Sequence, residues 1–230
     1  MTIEWIGQSG YIIRSDSTEI VIDPYLSDVV GRLANKSRIV PAPIEPADIK
    51  ADAVVCTHDH LDHIDIDSIP LMDDSLAFIT TNDGKQKILS LGKKKVTALN
   101  VGESVSVGDM TITAVYANHT VEAFGVVVKC GGITLYFSGD TLYDEKLFDI
   151  SKYHPDYTFI CINGKLGNMN VDEALTTARR IGAKFNVPNH YGMFSENTED
   201  PSKFTDKIDG GFTMDLAVSY EITENGLFAL

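Results

Sequence analysis

Apolar and polar positions change over in short bursts along most of this chain. TIEWIG, YIIRS, EIVIDPY, DAVVCTH, LAFITT, KVTAL, SVSV, MTITAVYA, FGVVVK, ITLYFSG, DYTFICI, FNVPNH and LAVSYEIT are rich in β-branched and aromatic residues. Most are bounded by Gly, Asp, Asn or Pro, as strands are. Gly131-Gly132 between two such runs predicts a hairpin. Helical spacing is rarer and falls at 83–91, 144–153, 171–181 and 201–208. The third is the clearest. Asn170 is placed to cap it, Glu173 stands where a capping-box carboxylate would, and Ala174, Leu175, Ala178 and Ile181 form one apolar stripe.

Early hairpins, then alternating strands and helices, then the same order again, predict two sheets in contact with helices outside. No Pro- or Gly-rich linker divides the chain, and PAPIEP at 41–46 is too short to do so. The expectation is an α/β fold in one domain over 1–230, with two similar halves meeting near residue 115.

Composition narrows the partners. The 230 residues are 43% apolar and 23% charged, with 33 acidic against 19 basic residues and a formal charge of −14. A field of that sign repels phosphate backbones and anionic lipid, so neither nucleic acid nor a membrane surface is expected as a partner. It does not exclude a small anionic substrate, because a bound metal reverses the local potential. Cys56, Cys130 and Cys161 are too few and too scattered for a disulfide framework and read as buried thiols. No signal peptide and no membrane-length apolar run is visible, so a reduced, cytoplasmic protein is expected.

The stretch CTHDHLDHID, at 56–65, changes the picture. It holds three of the chain's six histidines and three aspartates, directly after the apolar run DAVVC. Residues two apart on an extended segment face the same way, so His58 and His60 can bind one ion together. Asp62 and His63 begin the next turn and can point to a second ion nearby. Imidazole with carboxylate suits Mn, Zn or Fe, and the absence of thiolate argues against a purely structural zinc site. Three further candidates each follow a strand-like run: His119 in YANHT, Asp140 in FSGDT and His190 in PNHYGMF. Loops of that kind gather at one edge of a sheet, where sites are built. Only His154 is left over, as a surface residue.

With these residues in place the sequence resembles the metallo-β-lactamase-fold hydrolases, which carry H-x-H-x-D-H and then a lone His, Asp and His in this order. The resemblance implies a four-layer αβ/βα sandwich of two mixed sheets with a dinuclear metal site at their edge. It implies His58, His60 and His119 around one ion, Asp62, His63 and His190 around the other, and Asp140 between them. More narrowly, GQSGYIIRSDSTEIVIDPYLSD, THDHLDHID, CINGKLGNMNVDEA and HYGMF are similar to the L-ascorbate-6-phosphate lactonases, which are cytoplasmic and manganese-dependent. The chain is shorter than those lactonases and carries Lys165 in place of the arginine expected after NG.

The expected activity is hydrolysis of a small anionic metabolite, a lactone or ester such as a phosphorylated sugar lactone, by hydroxide generated between two divalent ions. Asp62 and Asp140 are the expected catalytic residues, and Asn163 and Lys165 the expected substrate contacts. Asp23 in IDPYLS either orients a ligand histidine or forms an ordinary Asp-Pro turn. Asp59 reads as supporting the ligands from behind or as solvated, Glu122 as a solvated loop residue or a substrate contact, Trp5 as core, and Tyr191, Met193 and Phe194 as packed residues or pocket walls. Two other readings share the motif: a phosphodiesterase acting on cyclic nucleotides, RNA or phospholipid head groups, and a non-catalytic metal-binding protein. A homo-oligomer is compatible with the sequence.

Overall fold

Strands β1 (Thr2–Gly7), β2 (Gly10–Arg14) and β3 (Glu19–Ile22) form an antiparallel meander, and β4 (Ala53–Val55), β5 (Ala77–Thr80) and β6 (Val96–Ala98) extend it in parallel. The computed structural model describes residues 1–230. Strands β7 (Ser104–Val107), β8 (Met110–Tyr116), β9 (Phe124–Cys130) and β10 (Ile133–Phe137) make a second antiparallel meander, which β11 (Tyr157–Cys161) and β12 (Phe185–Asn189) continue in parallel. The last two strands, β13 (Ser219–Thr223) and β14 (Gly226–Ala229), return to the first sheet, where β13 pairs with β1. The sheets have eight and six strands. The chain leaves the first sheet after β6 and enters the second at β7. The halves therefore meet at 99–103 and not near residue 115, which lies inside β8.

Alternation along each strand decides which layer a side chain joins. In β9, Val126 and Val128 face the other sheet and join a core with Ile13, Ile22, Ala53, Val55 and Phe137. Val127 faces outward and packs with Tyr136, Ile150 and Ile181 beneath the outer helices. On the first sheet Ile12, Val21, Val54 and Phe78 face outward and pack with Ile64, Ile69 and Ile88. The result is helix, sheet, sheet, helix, with the largest core between the sheets.

The helices are α1 (Val29–Ala34), α2 (Asn82–Ser90), α3 (Val171–Ile181) and α4 (Ser202–Thr205), and Glu145–Tyr153 is a 3₁₀ segment. The capping box at Asn170 and Glu173 forms as the sequence predicts, and Gly182 closes α3 in the left-handed region at φ 78°. Gly131 and Gly132, at φ 56° and 84°, make the tight β9–β10 hairpin. Two elements escape the sequence pattern. VVGRLA of α1 mixes β-branched residues with Gly, and GLFA of β14 is too short to stand out. The three cysteines are buried and unbonded. No helix is long and apolar enough to cross a membrane.

Candidate metal centre

Sheet direction gathers the candidate side chains at one edge. Strands β8 and β10 both run antiparallel to β9, and β11 and β12 run parallel to β10, so all four end on the same side. His119, Asp140 and His190 follow β8, β10 and β12 and emerge there. His58, His60, Asp62 and His63 lie in the loop after β4 of the other sheet, and His58 bridges to Ala123 across the gap between sheets. The site is thus built from both sheets.

The seven side chains form two groups. Donor atoms of His58, His60, His119 and Asp140 lie within 4.8 Å of one another, and so do those of Asp62, His63 and His190. In the first, His60 Nδ1 is 3.0 Å from His58 Nε2 and 3.2 Å from His119 Nε2. Asp140 Oδ2 is 4.0 Å from His58 Nε2 and 4.0 Å from His119 Nε2. In the second, Asp140 Oδ1 is 3.3 Å from His63 Nε2 and 3.2 Å from His190 Nε2, and Asp62 Oδ2 is 3.5 Å from His190 Nε2. One carboxylate oxygen of Asp140 therefore faces each group. Ligand atoms about 2 Å from a common centre stand roughly 3–4 Å from each other, which is the spacing found.

Buried polar atoms show the same fit. His63 Nε2 and Asp140 Oδ1 are shielded from solvent and neither has a hydrogen-bond partner, although they are neighbours. Two neighbouring buried polar atoms left without partners, at a cost of about 1–3 kcal/mol each, fit a site that would receive a cation. Burial, with help from the neighbouring histidines, holds His58 below the usual imidazole range, and burial does the same for His119. Both shifts favour the neutral form, which is the one that ligates. On the other side burial is opposed and overcome. Asp140, Asp23 and Asp62 push His63 well up, and Asp140 and Asp62 push His190 up to about 9. In return, His63 and His190 hold Asp62 and Asp140 well below the carboxylate range. This half of the site demands positive charge, which protons on imidazole supply and divalent cations would supply in their place.

A second layer fixes the donors. Asp23 Oδ2 is 2.8 Å from His63 Nδ1 and accepts the Thr57 hydroxyl, while Asp23 Oδ1 accepts the Thr57 N–H. Asp23 therefore orients His63, a candidate ligand. The Gln8 amide donates to Asp62 Oδ2 at 2.8 Å and lies 3.0 Å from His190 Nε2. His119 Nδ1 is 3.1 Å from the Gly167 carbonyl, fixing Nε2 as the inward nitrogen. A Cβ on Gly167 would come within 2.8 Å of that imidazole, and the residue has φ 92°, so only glycine fits. Gln8, Asp23 and His190 are themselves non-glycine residues at φ 51°, 42° and 60°. Each such conformation costs about 1 kcal/mol or more, and here all three serve one site. Asp65, buried behind the loop, accepts the N–H groups of Leu26, Ser27, Asp67 and Ser68 and the hydroxyls of Ser27 and Ser68.

The centre opens into a cleft of about 490 Å³ walled by Val30, Ala34, Leu61, Leu166 and Phe194, with Lys36, Thr120 and Asn197 at its edges. Asn163 and Lys165 are not part of its lining. Asn163 is buried and donates to Asn197, and the Lys165 ammonium turns away to the Glu196 carbonyl. A short Asn-Gly turn places the neighbouring Leu166 and Gly167 on the cleft instead. Asp59 serves through its carbonyl, which accepts from Lys87. Glu122 accepts from Asn82 and the Asp83 N–H at the start of α2, outside the cleft. Trp5 packs against the tilted ring of Tyr191, Met193 is fully buried, and His154 is exposed. Gln8, Thr57, Asp65 and Lys36 were not legible as site residues. Asp65 alone left a trace, as the third aspartate of the His-rich stretch.

Residues 18–191 match the model of the beta-lactamase superfamily domain. A UPF0173 metal-dependent hydrolase of Methanosphaerula palustris is 28% identical over 232 residues, covering 95% of this chain and 96% of its own. Among solved structures, a possible metal-dependent hydrolase from Veillonella parvula superposes with a TM-score of 0.82 at 18% identity, covering 95% of this chain and 98% of its own. An isothiocyanate hydrolase from Delia radicum gut bacteria superposes with a TM-score of 0.80 at 18% identity, covering 96% of this chain and 99% of its own. From the strand order to the paired donor groups at the sheet edge, the chain belongs to the beta-lactamase superfamily and has the metallo-β-lactamase fold.

Proposed function

We propose that this protein is a metal-dependent hydrolase that holds two divalent cations and acts on a small anionic metabolite. The observation that carries this reading is Asp140, whose two carboxylate oxygens each face a separate group of three further donors. His58, His60 and His119 would hold one cation with Asp140, and Asp62, His63 and His190 the other. Mn, Zn and Fe all accept a shell of imidazole and carboxylate. Such cations supply Lewis acidity, bringing the pKa of a water toward neutrality and polarising a scissile carbonyl or phosphoryl oxygen.

The chain's own residues do the rest. Gln8 and Asp23 keep Asp62 and His63 in fixed orientations, so the donors need not reorganise during turnover. Asp62 lies at the cleft wall, where its carboxylate would ligate a cation and accept a hydrogen bond that orients an attacking water. Phe194, Leu61 and Val30 exclude water from one side of a bound substrate. The finer reading, a lactone or ester such as a phosphorylated sugar lactone, rests on the sequence resemblance to L-ascorbate-6-phosphate lactonases.

Elemental analysis of the purified protein, together with turnover of a phosphorylated sugar lactone and of a generic phosphodiester after manganese loading, tests both levels. Two ions per chain with faster lactone opening is the expected result. Faster phosphodiester cleavage would leave the metal site standing and discard the lactonase reading. Asp140→Ala and His190→Ala should each lose metal and turnover; full activity in either would overturn the proposal.

A further inference from the structure

Lys36 is the one lysine or arginine lining the cleft, and it shares that lining with four of the seven candidate metal ligands. Its backbone is fixed by the end of α1. Asn35 is left-handed at φ 57° and donates its N–H to the Gly31 carbonyl, while the Lys36 N–H reaches Val30 O at 3.4 Å. Val30, Ala34, Leu61, Leu166 and Phe194 supply the apolar part of that lining, and its carboxylates, Asp62 and Asp140, belong to the candidate metal donors. Lys93 and Lys203 have carboxylate partners within 2.8 Å, but no carboxylate forms an ion pair with Lys36.

A second cavity of about 330 Å³ adjoins the first and shares Lys36 and Phe194 with it. Arg38 lines this second space. Its guanidinium donates only to the carbonyls of Val40, Tyr25 and Ser27, and Nη2 is buried without a partner. The acidic groups on this side are Glu196, which also lines the second cavity, and Asp28, which accepts the Arg38 N–H. Two cations without carboxylate partners thus flank the junction of the cavities, in a chain of formal charge −14.

Resting on the hydrolase reading above, we infer that Lys36 is the specificity-determining residue of the cleft. It binds an anionic group, a phosphate monoester or a carboxylate, that the substrate carries away from its scissile bond. The metal donors select the bond to be broken, and Lys36 selects which molecules bring it there. A hydrogen-bonded ion pair in such a setting contributes about 1.5–3 kcal/mol, or roughly 10–100-fold in affinity.

Calorimetric titration of the metal-loaded protein with glucose, glucuronate and glucose 6-phosphate tests the inference without requiring turnover. Wild type should bind at least one of the two anions more than tenfold tighter than glucose. Lys36→Met should erase that preference and Lys36→Arg should retain most of it. Which anion leads names the group as phosphate or carboxylate. An anion held by the metals alone would bind equally to wild type and K36M, and that result would overturn the inference. So would equal binding of all three sugars by wild type. Because the readout is binding, a Lys36-dependent preference in a protein that hydrolyses nothing would sink the hydrolase reading and leave this one standing.

Discussion

Asp23 carries out three tasks from a backbone conformation that few non-glycine residues adopt. At φ 42° it faces His63 with one oxygen and closes a ring with Thr57 through both. Replacing it with Asn keeps the size but removes the charge that fixes the His63 tautomer. Asp23→Asn should therefore weaken metal binding by roughly 10–100-fold while the protein stays folded. Competition with a coloured chelator measures this directly, and unchanged affinity would show that the ring of bonds is merely local structure. At this scale the sequence was half legible. His58, His60, Asp62 and His63 stand out because ligand spacing is local, whereas Gln8 meets Asp62 across 54 positions and leaves no mark in its own neighbourhood. Lys165 is the converse case. Its charge and its Asn-Gly context suggested substrate, but a surface carbonyl at Glu196 holds the ammonium.

Between residues and the whole fold, the loops after strands carry the site, and buried polar anchors hold them alongside apolar packing. Asp65 ties the loop after β3 to the loop after β4 through backbone and hydroxyl donors from both. Asp65→Ala leaves several of those donors unpaired in a dry interior, at a cost of about 3–5 kcal/mol. Urea unfolding should report a lower midpoint with an unchanged slope; a loss under 1 kcal/mol would mean that water replaces the carboxylate. Strands were read well because β-branched runs bounded by turn residues survive in any context. The capping box of α3 was legible for the same reason, since all its bonds lie within one turn. Helix α1 was not, because its six residues have little helical preference and are stabilised by what the loops around them bury.

Across the whole molecule the donor groups join two sheets. Four of the seven donors come from the loop after β4, and three from loops of the second sheet. Neither sheet holds a full set, so bound cations would act as staples across the interface and resist its opening. With each ion at a hundred- to thousand-fold excess over its dissociation constant, two sites together stabilise by about 5–8 kcal/mol, or roughly 10–30 °C in a chain of this size. Melting should therefore drop by that amount after chelation and recover when Mn or Zn is restored. A melting point indifferent to chelator would mean that the sheets are held by their shared apolar core alone. The sequence announced the two-sheet plan through its repeated order of hairpins followed by alternating strands and helices. It misplaced the switch, because five loop residues between β6 and β7 carry no apolar pattern that marks a change of sheet.

The pairing of β13 with β1 gives the fold a timetable. Strand β1 is synthesised long before its partner, and one of its edges stays open until Ser219–Thr223 follows. At ordinary synthesis rates that interval is roughly 10–40 s. Throughout it the nascent chain presents an unpaired strand edge, flanked by the apolar residues of the two meanders, to every other nascent chain nearby. The hazard lies in waiting rather than in the finished molecule. Soluble yield should therefore follow translation speed and chaperone supply more closely than it follows equilibrium stability.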